Sequence, residues 1–300
     1  MSVTIDQLLK SPVQQVREIT QKVIDGVRIS DEDAVWMFKH GELSTLGVLA
    51  NYVREKKNGM FTYFNRNFHI EPTNICVFSC KFCSYSQDYK HKEEGWELTI
   101  EQMLDKVKAY DGQAITEVHI VGGVHPKMDL EFFGTLLEKI KAHRPDLHIK
   151  AFTAVELDYM FRKAKKTTEE GMKYLISKGL NSIPGGGAEI FDEQTRLEIA
   201  GDKCSSEIWL GIHETAHQQG IRSNCTMLYG HIETYEHRVD HMRRLRDLQD
   251  RTGGFQTFIP LKFRNHDNNM SDVPEATLIE DLKVYAIGRI YLDNFDHVKA

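Results

Sequence analysis

The sequence predicts an α/β chain, a partial or complete (β/α) TIM-like barrel with an N-terminal helical segment. Short apolar runs recur from Phe68 onward, each followed by a loop and a stretch of helical period, and the alternation repeats six times. Strands separated by helical crossovers pair in parallel, and repeated right-handed crossovers roll a sheet toward a barrel.

The elements justify themselves in order. Ser30, Asp31 and Asp33 precede Val35, Trp36 and Phe38, and Leu43, Leu46, Leu49, Ala50 and Val53 continue a helical spacing, so residues 1–60 read as a helical cap. Strands are expected at 68–71, 117–121, 148–153, 180–183, 222–228 and 255–261, with residues 291–300 reading as the start of a seventh. Thr99 with Gln102 and Thr167 with Glu170 have the spacing of capping boxes. Met103, Leu104 and Val107 share a face, as do Phe132, Phe133, Leu136, Leu137 and Ile140, and Val239, Met242, Leu245 and Leu248; these faces must pack on a sheet. Residues 61–300 then form one barrel domain, and ligands belong at the carboxyl ends of its strands.

A chain of 300 residues with 41% hydrophobic content can bury a large core. A net charge of −6 and the lack of a long basic run leave no electrostatic footprint for nucleic acid. No stretch approaches the ~20 apolar residues of a membrane span, and the polar start lacks a signal-peptide core. A cytoplasmic protein with a small-molecule partner is expected, without nucleic acid or membrane. Three of the five cysteines lie within eight residues, which favours reduced, metal-binding thiols over disulfides.

Those three, Cys76, Cys80 and Cys83, make a C-x3-C-x2-C run just after the first strand, in HIEPTNICVFSCKFCSYSQ. Thiolates are soft ligands for iron–sulfur clusters, and three of them leave one iron of a cubane open to bind a substrate. Structural zinc wants four donors, usually in two separated pairs. Buried thiols, or zinc completed by His91, are the alternative. Cys204 and Cys225 read as packing residues.

Other candidates lie at strand ends. In Val121-Gly122-Gly123-Val124-His125-Pro126 the missing side chains let backbone approach a ligand, or serve a tight turn. Pro184-Gly185-Gly186-Gly187-Ala188-Glu189 suits a nucleoside cradle, with Glu189 presented to a polar ligand. Glu156 is placed to bind ribose hydroxyls or is a solvated loop acid. Arg196 fits a carboxylate bidentately or makes a surface ion pair. If the chain stays extended, His231 and Glu233 fall on one side, facing the cavity mouth; the alternative for His231 is a satisfied structural histidine. Lys262, Arg264 and His266 are placed to offer positive charge to an anionic substrate, or, for His266, to lie in a solvated loop.

With Phe82 before its last cysteine, the C-x3-C-x2-C run resembles the radical S-adenosylmethionine (SAM) superfamily. The resemblance implies a 4Fe-4S cluster on Cys76, Cys80 and Cys83, S-adenosyl-L-methionine as co-substrate on the open iron, and a low-potential electron donor. It also implies that Gly122 and Gly123 meet the amino group of SAM. Beyond the cysteines, HIEPTNIC, VGGVHP, PGGGAEIF and TMLYGHIET resemble the group containing aminofutalosine synthase and dehypoxanthine futalosine cyclase, from about Ile29 to the end. PGGGAEIF, FIPLKF and Phe-Cys-Ser-Tyr-Ser look most like the aminofutalosine synthase family.

That family likeness implies a C–C bond-forming transferase of menaquinone biosynthesis. In it the 5′-deoxyadenosyl radical adds to 3-[(1-carboxyvinyl)oxy]benzoate to give 6-amino-6-deoxyfutalosine with loss of carboxylate. A dicarboxylate substrate needs cationic or hydrogen-bonding partners, for which Arg196, His231 and Arg264 are the candidates, with Glu233 beside His231. Relatives of the group continue past Ala300, so the barrel is expected to be open as given. The alternatives are the cyclase, which takes hydrogen from a nucleoside, and a non-catalytic iron–sulfur or zinc-binding protein.

Overall fold

Residues 4–300 are described by a computed structural model. Four helices come first: α1 (Ile5–Leu9), α2 (Gln14–Asp25), α3 (Asp31–His40) and α4 (Leu43–Asn58). Thr4 and Ser30 close capping boxes with Gln7 and Asp33, and Gly26 ends α2 in the left-handed conformation at φ 69°. The helices bury Ile19, Val23, Met37, Phe38, Leu46 and Leu49. Of these, α3 and α4 lie against α11 (Tyr235–Thr252) and α12 (Leu278–Tyr291) in the outer layer, with the Phe38 and Tyr235 rings stacked at 5.1 Å. The reason is their one-sided apolar face, which finds its match on other helices.

Seven parallel strands then form one sheet in the order β1 (Asn67–Ile70), β4 (Glu117–Ile120), β5 (His148–Ala151), β6 (Ser182–Ile183), β7 (Arg222–Tyr229), β8 (Phe255–Lys262) and β9 (His297–Val298). The order is sequential and the sheet curls into a half-barrel with β1 and β9 as free edges. The crossovers carry α5 (Ile100–Lys108), α6 (Leu130–His143), α7 (Ala154–Lys163), α8 (Thr168–Ser177), α9 (Glu193–Ala200) and α10 (Ser206–Gln218). Capping boxes at Thr99 and Thr167 start α5 and α8 as their spacing predicts. The seventh strand starts later than expected. Tyr291 closes α12 and is fully buried there, and only His297 and Val298 pair, with Thr257 and Phe258 of β8. Among the described residues no helix is long and apolar enough to cross a membrane.

Strand alternation divides the sheet into two faces. Phe68, Ile70, Val118, Ile120, Ile149 and Ala151 are buried under the helices, and Phe68 stacks on Tyr110 at 4.2 Å just past α5. Asn67, His69, Glu117, His119, His148 and Lys150 therefore line the concave face. A two-residue parallel pair, β2 (Ile75–Cys76) with β3 (Gln87–Asp88), was not foreseen, and it ties off the loop after β1.

Candidate active site at the carboxyl ends of the strands

The β2–β3 pair closes the base of the cysteine loop, and two other segments, residues 199–202 and Asn269, hold its tip. Lys81 N donates to Ile199 O at 2.8 Å, Ser79 Oγ to Asp202 at 2.6 Å, and Asn269 N to Lys81 O at 2.8 Å. Cys76 Sγ accepts N–H groups of Phe78 at 3.4 Å and Val124 at 3.3 Å, so the glycine loop after β4 is hydrogen-bonded to the first cysteine. Cys76, Cys80 and Cys83 are all half-buried, whereas Cys204 and Cys225 are buried as packing residues.

The glycines of that loop serve the chain's own backbone. A Cβ on Gly123 would lie 2.3 Å from Ile75 O, and one on Gly122 would lie 2.8 Å from Thr73 O. Their N–H groups are engaged too, Gly123 with Thr73 O at 2.7 Å and Gly122 with Glu156 at 3.3 Å. Among the described residues no protein donor reaches their carbonyl oxygens, which are the groups left for a ligand. Glu156 is neither a solvated acid nor free for ribose. It is 6% exposed, completes the α7 capping box with Thr153, and bridges to Gly122. Burial pushes its carboxyl up to about 7 against the hydrogen bonds from Thr153 and Gly122.

The loop after β6 is held by its carbonyls. Gly185 O accepts Thr226 Oγ1 at 2.7 Å, Gly186 O accepts Trp209 Nε1 at 3.1 Å, and Arg196 takes Gly187 O and Ala188 O at 2.9 and 2.6 Å. Arg196 also donates to Cys204 O and is only 2% exposed. Its guanidinium is thus consumed by main chain and does not meet a substrate carboxylate. With the carbonyls turned inward, the N–H groups of Gly186, Gly187 and Ala188 find no acceptor among the described residues.

Glu189 follows at φ 47° and pairs with Lys203 Nζ at 2.6 Å. Burial alone would raise this carboxyl, yet the Lys203 ammonium holds it below its usual range. Lys203 also lies over the Phe82 ring at 5.1 Å and acts on Cys80. Sequence reasoning missed Lys203, since its Gly-Asp-Lys-Cys setting carries no motif or periodicity.

The remaining candidates scatter. His231 and Glu233 do come together, Nδ1 to Oε2 at 3.2 Å, but through a turn at Gly230 (φ 85°), and their side chains are 0% and 1% exposed. Glu233 accepts Gly230 N, His231 N and Arg238 Nε, so the pair braces the β7–α11 turn instead of facing the cavity mouth. Arg264 pairs with Glu275 at 2.8 Å with its side chain 68% exposed. Lys262 is tied to Asp281 on α12 and His266 to its neighbour Asp267.

The donor set suits a cluster better than a single ion. Among the described residues the thiols do not gather within 4.8 Å as a group of three, whereas His91, Glu93 and Glu94 do, on the surface. His91 is therefore grouped with carboxylates, away from the role of fourth zinc ligand. Burial pushes the Cys80 thiol up to about 11 and raises Cys76, so as free thiols they would be inert, while iron deprotonates a thiol on binding.

Residues 70–245 match the family model described as the radical SAM superfamily. The chain belongs to that superfamily. Its family cofactors are a 4Fe-4S cluster and SAM. This radical SAM protein is 42% identical over 94% of its length to an aminodeoxyfutalosine synthase of Thermus thermophilus, covering 76% of that protein. It is 36% identical over 95% of its length to a cyclic dehypoxanthine futalosine synthase of Streptomyces coelicolor, covering 72% of it. Among solved structures, methylornithine synthase (PylB) superposes with a TM-score of 0.72 at 18% identity, over 92% of this chain and 77% of that one. The radical SAM half-barrel is the fold they share.

Proposed function

We propose that this radical SAM protein is an aminodeoxyfutalosine synthase that joins the 5′-deoxyadenosyl group of SAM to 3-[(1-carboxyvinyl)oxy]benzoate. The carrying observation is the 42% identity over 94% of the chain to a relative of that name, against 36% to the cyclic dehypoxanthine synthase. The net reaction breaks the C5′–S bond of SAM with release of methionine, forms a bond between C5′ and the enol-ether carbon, and expels the enol-ether carboxyl group as carbon dioxide, giving 6-amino-6-deoxyfutalosine with the electron that opened SAM returned and a proton lost.

Cys76, Cys80 and Cys83 would hold the cluster. When bound, it supplies one low-potential electron from an external donor and an open iron for the amino-acid end of SAM. The carbonyls of Gly122 and Gly123 would be the groups available to hold the amino group of SAM, and the N–H groups of Gly186, Gly187 and Ala188, beside Glu189, would be those available to the nucleoside end. Arg196 and Glu156 are positioning residues, one holding the carbonyls of the 187–188 segment and the other linking the glycine loop to α7. Half-buried thiols on an oxygen-sensitive cluster favour a reducing, cytoplasmic setting.

Anaerobic reconstitution, then turnover with SAM, a low-potential reductant and the benzoate substrate, tests the proposal by mass spectrometry. An adenosyl adduct of the mass of 6-amino-6-deoxyfutalosine is the expected product. Free 5′-deoxyadenosine formed only with dehypoxanthine futalosine would replace this reading by the cyclase. Intact SAM over a verified cluster would leave a non-catalytic iron–sulfur protein.

A further inference from the structure

Arg196, His231 and Arg264 are engaged elsewhere, so the two carboxylates of the proposed substrate need other partners. The concave face supplies a set that no loop motif announces. In the parallel ladder His69 stands opposite His119, and His119 stands opposite Lys150, so three basic side chains run in one row across β1, β4 and β5. The His69 and His119 rings are 4.9 Å apart. His119 Nε2 is buried and has no hydrogen-bond partner among the described residues, although His69 is exposed on the open edge. Burial, then the neighbouring His69 and Lys150, push His119 down to about 4, which makes it a neutral imidazole at physiological pH.

Lys150 is 6% exposed and pairs with Glu117 at 2.8 Å, and Asn67 Nδ2 reaches the same carboxylate at 3.2 Å. Lys299, just past β9, adds positive charge near His119. Packing does not explain this row. A buried ion pair is commonly no better for stability than apolar residues of the same volume, and an unpartnered imidazole costs more still. On β7 and β8 the residues Asn224, Thr226, Thr257 and Ile259 are uncharged, and Arg222 at the start of β7 continues the Lys150 row through Ser182. At ~3.3 Å per residue, His119 lies roughly 7 Å below Val121, where the glycine loop begins, about the reach of a benzoate ring.

We propose that the His69–His119–Lys150 row is the specificity-determining face of the substrate site and binds the ring carboxylate of the benzoate. The inference rests on the reading of the substrate given above. The enol-ether end then points up toward the cysteine loop and SAM, and the ring lies along the concave face of β1, β4 and β5.

The test compares the diacid with its ring-carboxylate methyl ester in the reconstituted full chain, for the wild type, H69N, H119F and the double variant K150M/E117Q, which removes both charges together. The wild type should favour the diacid by on the order of 10- to 100-fold in kcat/KM, the range of a hydrogen bond to a charged group. In the variants KM for the diacid rises and that ratio falls toward one, while SAM affinity and the electron paramagnetic resonance signal of the reduced cluster stay unchanged. H69N sits on an exposed edge, so it separates lost binding from lost folding. Variants that keep the wild-type ratio would overturn the row. A wild type that cleaves SAM with its own substrate but neither binds nor converts the diacid would remove the substrate reading and the row with it.

Discussion

The two walls of the half-barrel differ in build. The front wall, β1, β4 and β5, has strands of four residues and a concave face of histidines, Lys150 and Glu117. The back wall, β7 and β8, has strands of eight residues, and its strength lies on the convex side. There Trp209 stacks on His213 at 3.8 Å, Phe255 fills the gap to His217 and Phe295, and Phe191 stacks on His241 at 3.8 Å. Short strands leave room for long loops carrying cysteines and glycines, and long strands make the frame that holds those loops. Chemistry and stability are divided between regions of one sheet.

The largest effect expected on this division is C80A, which should abolish SAM cleavage and the cluster signal while thermal unfolding of the apo chain shifts little. W209A should chiefly lose stability, about 3–5 kcal/mol in denaturant melts, because a fully buried ring leaves a cavity among aromatic neighbours, and it should also weaken SAM cleavage through the lost bond to Gly186 O. If W209A unfolds at the wild-type midpoint, the back wall is not the frame.

A smaller pair of effects has opposite sign in pH. Glu156 is raised in the fold from 4.5 to about 7, so the stability it leaves intact at low pH is lost as pH climbs through 7. His217 and His241 are lowered from 6.5 to about 4 and about 3, so the stability present above 6.5 is lost as pH falls toward those values. Melting curves between pH 5 and 8, in ~0.5-unit steps, should show E156Q flattening the alkaline side and H241L the acid side. The least effect is expected of R264A. Its exposed ion pair should be worth at most about 1 kcal/mol, and activity should stay within about twofold of the wild type.

Much of the frame was legible because strands of this fold are separated by well-capped amphipathic helices. Six strands lie where apolar runs and turn residues put them. The misplaced start of β9 has a plain cause: Tyr291 and Leu292 are apolar and buried, but as the end of a helix packed inside the outer layer. The cysteines were legible from spacing. Most of the polar rim was not, since what an arginine or glutamate meets depends on segments distant in sequence. Arg196 is spent on the carbonyls of the 187–188 segment, and Glu156 on a loop 34 residues away. The basic row was illegible for a related reason: His69, His119 and Lys150 become neighbours only when the ladder brings them into register.

Glu189 meets two demands at once, and neither glycine nor asparagine, which suit its backbone best, supplies the charge. Its backbone is left-handed at φ 47°, a conformation that glycine or asparagine adopts at less cost, and its carboxylate neutralises a buried ammonium beside Cys80. Replacement by glycine would relax the chain and strand Lys203, while alanine would keep the strain and strand it as well. Position 189 is therefore a narrow gate for evolutionary drift: a lineage that changes it must change Lys203 in the same stroke, so the two positions should be exchanged together or not at all.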